Sequence, residues 1–151
     1  MGSEMCIRDR PQVTADEIVA LGATRVVILG GTGAISDAVA AQVAALPGVT
    51  TVDRFSGLSR FGTAAAISAQ VWPSGADVVY VAYGLNFPDA LAGGPAAFLD
   101  DGPLLLVRTD SIPAETAAEI TRLAPSRIVI LGGTGVVSDT VATQLDAFLT
   151  P

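Results

Sequence analysis

Four unbroken apolar runs punctuate the chain: VVIL at 26–29, VVYVA at 78–82, PLLLV at 103–107 and IVIL at 128–131. None alternates with polar positions, so each reads as a strand buried on both faces, the pattern of parallel sheets covered by helices. With the segments between them, the pattern predicts strands at 25–29, 49–52, 77–82, 103–107 and 127–131. It predicts helices at 14–21, 36–46, 60–72, 113–123 and 138–149, and one more entering at Pro88. Thr14, Ser36, Ser59 and Ser138 stand where N-caps belong, and Glu17 follows Thr14 at capping-box spacing. Strict alternation of β and α implies an α/β fold: a mostly parallel sheet with helices on both faces.

Two of the runs belong to a longer repetition. RVVILGGTGAISDAVAAQVAAL (25–46) returns as RIVILGGTGVVSDTVATQLDAF (127–148), an offset of 102 residues. The same offset pairs Pro11 with Pro113, Thr14 with Thr116, Glu17 with Glu119, Ile18 with Ile120 and Leu21 with Leu123. That period is too long for a solenoid of small units and fits an α/β module of several strands. The chain is therefore read as about one and a half tandem repeats: the C-terminal part of one module at 11–52 and a complete one at 53–149. Residues 1–10, which hold the only cysteine and both methionines, read as foreign to the fold. A module with part of its sheet missing should leave apolar surface exposed.

Charge narrows the function. The net charge is −7, unfavourable for nucleic acid. All eight basic residues are arginines, and there is no histidine. The usual general base and the usual activated amine are thus both missing. No thiolate set exists for a metal, and no run approaches the roughly 20 apolar residues that span a bilayer. These features favour a non-enzymatic module that carries no cofactor.

The GGTG turn invites a different reading, an NAD(P)-type dinucleotide site, with Asp53 placed 20 residues past Gly33 to hold a ribose. Ser36 and Ser138 stand where the third glycine should be, and Asp37 and Asp139 bring carboxylates to the helix N-termini that a phosphate would need. The turn glycines Gly30, Gly31, Gly33, Gly132, Gly133 and Gly135 are read instead as structural, allowing positive φ and close approach. The nucleotide-binding fragment stays as the alternative.

As a unit, residues 53–149 resemble the cell-wall-binding repeat 2 modules of Gram-positive surface proteins. The resemblance rests on DRFSGLSRFGTAAAIS with Arg54, Gly57, Arg60, Phe61, Thr63 and Ala64, on NFPDALAGGPAA around Asp89, on the Pro103–Leu106 run, and on the closing VILGGTGVVSDTV. It implies a Rossmann- or flavodoxin-like module without catalysis. Such modules hold a secreted host protein at the cell wall through an anionic polymer, usually three in tandem as a pseudo-threefold ring. Neighbouring copies of the module are then expected partners, within one chain or as a homo-trimer.

Arginine suits such a ligand, because its planar donor pair grips phosphate and carboxylate. Arg54, Arg60 and Arg108 fall at strand ends or a helix start, where open α/β sheets place their crevices. With Thr63 they form the candidate polymer-binding set. For Arg60 the competing reading is an internal ion pair with Asp89, tying the turn to the next helix. Arg25 and Arg127 are read as structural, and Asp100-Asp101-Gly102 as a plain turn rather than a calcium loop.

Overall fold

A computed structural model describes residues 11–149, so the expectation for residues 1–10 lies outside the described residues. The chain divides into two compact units that meet between Ser56 and Gly57.

The first unit contains α1 (Gln12–Ala20), β1 (Arg25–Leu29), α2 (Asp37–Ala44) and β2 (Thr51–Phe55). β1 and β2 form a two-stranded parallel sheet that pairs Arg25 with Thr51 and Leu29 with Phe55. Two sequence expectations need correction here. α1 starts directly after Pro11, which makes no side-chain cap, and Thr14 lies inside the first turn with its amide donating to the Pro11 carbonyl. Thr14 is therefore not an N-cap.

β2 also sits later than the apolar pattern placed it. Val49 and Thr50 are spent on the turn, where both the amide and the hydroxyl of Thr50 donate to the Thr24 carbonyl. Asp53 and Arg54 are polar, yet both extend the strand. They fit because Asp53 pairs with Arg25 at 2.6 Å and Arg54 donates to the Gly30 carbonyl at 2.7 Å.

The second unit contains α3 (Arg60–Val71), β3 (Val78–Tyr83), α4 (Pro88–Leu99), β4 (Leu104–Val107), α5 (Ala114–Leu123), β5 (Arg127–Leu131) and α6 (Asp139–Asp146). Its sheet has the order β4-β3-β5, all parallel, with Tyr80 opposite Leu104 and Val129. Four consecutive residues of the central strand, Val79 to Ala82, are buried. Successive side chains point to opposite faces, so both faces of β3 are covered. α3 packs on α5 and β4, while α4 packs on β3, β4 and β5. The core joins Val79, Val81, Leu105, Val107, Ile120, Leu123, Val137, Val141 and Leu145.

The second unit explains why the threonine recurs. Thr116 is fully buried, and its hydroxyl donates to the Leu106 carbonyl at the end of β4, at 2.7 Å. Its partner Thr14 is exposed, in a unit whose described residues contain no counterpart of β4.

The repeated turn is built alike in both copies. Gly30 and Gly132 take positive φ, 109° and 99°, whereas the other glycines of the two turns do not. Only the first glycine of each turn thus has a conformational reason to be glycine. Ser36 Oγ then accepts from the Val39 amide and Ser138 Oγ from the Val141 amide, capping α2 and α6.

Candidate functional site

In the second unit the C-terminal ends of β3 and β4 converge on Gly84, whose amide donates to the Val107 carbonyl at 2.8 Å. α3 delivers Phe61 to this point. The ring is 5% exposed and so close that a Cβ on Gly84 would stand 2.6 Å from its Cε1. Arg60, the first residue of α3, reaches the same place, its Nη1 donating to the Gly84 carbonyl at 2.9 Å. Just past β4, Arg108 lays its guanidinium over the Phe61 ring, 5.2 Å from the centroid, within cation–π range.

These contacts hold two cations at one end of the sheet. Both side chains belong to exposed residues. Among the described residues, Arg25, Arg54, Arg122 and Arg127 are each ion-paired to a carboxylate, and Arg60 and Arg108 are not. The expected pair of Arg60 with Asp89 does not form: Asp89 instead lies against Gly132, where a Cβ would meet its Oδ2 at 2.7 Å. A single hydrogen bond to a carbonyl leaves most of the five guanidinium donors of Arg60 available.

The helix reinforces the site. α3 has no acid in its first turn, unlike α4, α5 and α6, which carry Asp89, Glu115 and Asp139 there. The positive end of its dipole is thus unneutralised from within. One acid does enter the neighbourhood, since Ser59 Oγ donates to Glu115 Oε1 at 3.3 Å.

Thr63 and Arg54 are differently employed. The Thr63 hydroxyl oxygen accepts from the Gly57 amide at 3.1 Å, folding the approach to α3 back on its first turn. Arg54 belongs to the first unit, where its Nη1 bonds the Gly30 carbonyl and its Nη2 stands 3.6 Å from Asp37 Oδ1. Asp53, offered above as a ribose ligand, is engaged by Arg25. Sequence reasoning did not foresee the Phe61 platform or the Gly84 carbonyl. The aromatic was visible in the chain, but which backbone oxygen it would lie beside was not.

The other end of the sheet is acidic. Trp72, Asp77, Asp100 and Asp101 line part of a shallow depression of about 440 Å³. The Tyr80 hydroxyl donates to Asp100 Oδ2 at 2.8 Å and Arg127 Nη2 donates to the same oxygen at 2.6 Å. Trp72 Nε1 donates to the Asp101 carbonyl and carboxylate. The Asp100-Asp101-Gly102 turn therefore binds the chain to itself.

The hydrogen bonds from Tyr80 and then Arg127 hold the Asp100 carboxyl below its ordinary value of 3.8. The bond to Asp100 in turn raises the Tyr80 hydroxyl above 10.0. A lowered carboxyl contributes stability that is present above its unfolded value and lost as pH falls through the folded one. A raised phenol contributes below its unfolded value and loses that as pH rises through the folded one. Urea midpoints of the wild type should thus decline at both extremes, below pH 3.8 and above pH 10. Asp100→Asn should flatten part of both limbs. Limbs of unchanged slope in that variant would show that the triad contributes nothing.

With this geometry in place, known proteins supply the family. The family model described as Cell wall binding domain 2 (CWB2) matches residues 54–142. The N-acetylmuramoyl-L-alanine amidase LytC of Bacillus subtilis (strain 168) is 33% identical over 95 residues, 63% of this chain and 19% of that protein. The Amidase enhancer of the same organism is 32% identical over 100 residues, 66% of this chain and 14% of its own length. Among solved structures, Cwp6 from Clostridium difficile superposes with a TM-score of 0.83 at 25% identity, covering 93% of this chain and 22% of that one. Cwp8 from the same organism gives 0.76 at 24% identity over 92% of this chain and 23% of its own, a likeness of fold. The chain thus spans less than a quarter of the length of each of these proteins.

Proposed function

Because the chain belongs to the cell wall binding domain 2 family, and so carries a cell-wall-binding module, we propose that it grips an anionic wall polymer through Arg60 and Arg108. The supporting observation is that these two arginines converge on Gly84 and Phe61 without carboxylate partners among the described residues, although acids outnumber bases 15 to 8 in the chain. A protein of net charge −7 repels a polyanion at long range, so attraction must come from a local patch. Two cations beside a helix N-terminus, Arg108 over the Phe61 ring and Arg60 on the Gly84 carbonyl, form such a patch. Repeated along an array, weak single sites would add up to firm retention. In this reading the module is non-catalytic, works outside the cell at the wall, and leaves enzymatic work to other parts of its host protein. Amidase activity belongs to the relative that bears that name.

The test is co-sedimentation with purified Gram-positive cell walls. The chain should pellet with intact walls, lose retention as salt rises, and fail to pellet once the anionic polymer is stripped. Arg60→Ala with Arg108→Ala should reduce retention at least about tenfold while leaving the urea midpoint nearly unchanged. Arg25→Ala, which removes an exposed but ion-paired cation, should pellet like the parent. Equal retention of the double variant and the parent would refute the assignment.

A further inference from the structure

The internal repeat lets one half of the chain serve as a template for the other. β1 and β5 are equivalent strands, 102 residues apart, yet different edges of them are occupied. The Arg127 amide donates to the Asp77 carbonyl, toward β3, whereas the Gly30 amide donates to the Phe55 carbonyl, on β2. Arg127 and Gly132 are five positions apart, so in an extended strand their amides point to opposite edges. β3 and β2 thus mark the two sides of one repeated strand. Among the described residues β5 has only its β3 side filled; the side that β2 fills on β1 is an open row of donors and acceptors at Ile128, Ile130 and Gly132. β5 reads RIVIL, without the inward charges, prolines or bulges that usually blunt an edge.

The template also defines what the edge would receive. On β1 the arriving strand is TVDRF, and Arg54 anchors it by donating to the Gly30 carbonyl and approaching Asp37. The equivalents on β5 are the Gly132 carbonyl and Asp139. Among the described residues neither that carbonyl nor the Asp139 carboxylate has a donor. The Arg25–Asp53 pair has its counterpart in Arg127, held among the described residues by Asp100.

We infer that the open edge of β5 receives the opening strand of a following copy of the module in the same polypeptide. That strand lies parallel to β5, and its arginine latches onto the Gly132 carbonyl and Asp139. A module's first strand therefore completes the sheet of the copy before it, and Arg54 is a junction residue rather than a polymer ligand. The fold supplies the specificity twice over, through the register of the backbone ladder and through the arginine at its fourth position.

Appending the chain's own residues 50–57, TTVDRFSG, directly after Pro151 reproduces the spacing from β1 to β2. Amide exchange then reads the outcome residue by residue. Relative to a chain with the same eight residues scrambled, the amides of Ile128, Ile130 and Gly132 should slow at least about tenfold. Those of Arg127, Val129 and Leu131, which face β3, should change little. Alanine in place of the appended arginine, or Asp139→Asn, should each return most of the gain. Equal exchange in the native and scrambled tails would overturn the strand acceptor, and protection indifferent to both substitutions would overturn the latch. Protection that grows with protein concentration would assign the strand to a second molecule and overturn the intrachain source.

Discussion

Gly57→Ala is expected to cost about 3 kcal/mol of stability, and Gly33→Ala next to nothing. The glycine-rich turn attracts attention in the sequence, yet its third glycine is dispensable by geometry. A Cβ on Gly33 meets nothing within 4 Å, and neither Gly33 nor Gly135 takes positive φ. Alanine there even restricts the unfolded chain slightly, which offsets any small loss. Gly57 belongs to no conspicuous motif of small residues, but a Cβ on it would collide with the carbonyl carbon of Gly62 and stand 2.6 Å from its Cα.

Backbone cannot rotate out of the way as a side chain can. The collision must therefore be relieved by moving the start of α3. That movement would break the bonds from the Gly57 amide to Thr63 Oγ1 and from the Gly62 amide to Ser59 Oγ. It would also shift Arg60 and Phe61 from Gly84, so wall retention should fall together with stability. Thermal unfolding of the two variants beside the parent decides the matter. For a unit of this size, about 3 kcal/mol corresponds to a loss of roughly 10–20 °C. Gly57→Ala melting within two or three degrees of the parent would show that the loop absorbs a Cβ.

The strands were legible because burial on both faces leaves an uninterrupted apolar run, and the runs near 26, 78, 103 and 128 all became parallel strands. β2 was misplaced because its apolar content ends at Val52, while its pairing continues through Asp53 and Arg54 to Phe55. Only the partner strand reveals that Arg25 and the Gly30 carbonyl satisfy those two polar side chains. The serine caps were legible because capping is a local interaction within four residues. Thr14 misled for the same reason: its type suits a cap, whereas the recurring threonine serves a contact to a strand ten residues away, seen at Thr116.

The candidate site was half legible. Residue type and position at strand ends picked out Arg60 and Arg108. The partner of Arg60 could not be read, since Asp89 and the Gly84 carbonyl both lie in the same stretch of sequence and only packing chooses between them. Choosing the carbonyl has a functional consequence, because it positions the guanidinium without neutralising it. A carboxylate partner would have done both.

The same residue at the same repeat position should differ sharply in worth between the two units. Leu123→Ala should cost about 3 kcal/mol, within the range for a leucine lost from a packed core, while Leu21→Ala should cost less than about 0.5 kcal/mol. Leu123 is the last residue of α5 and Leu21 the C-cap of the equivalent α1, 102 residues apart. Leu123 is 2% exposed, packed in the cluster with Val79, Val81, Leu105 and Val107; Leu21 is 71% exposed. Among the described residues the first unit has counterparts of α5, β5 and α6 but no strands corresponding to β3 and β4, the strands that cover Leu123. Urea titration followed by circular dichroism measures both variants, and fluorescence of Trp72, the single tryptophan, isolates the second unit. The Trp72 transition should move with Leu123→Ala and stay in place with Leu21→Ala. Similar losses in the two variants would mean that Leu21 is buried in solution by a contact of its own. Unequal losses of the stated size would measure what β3 and β4 contribute to a helix whose sequence is otherwise repeated.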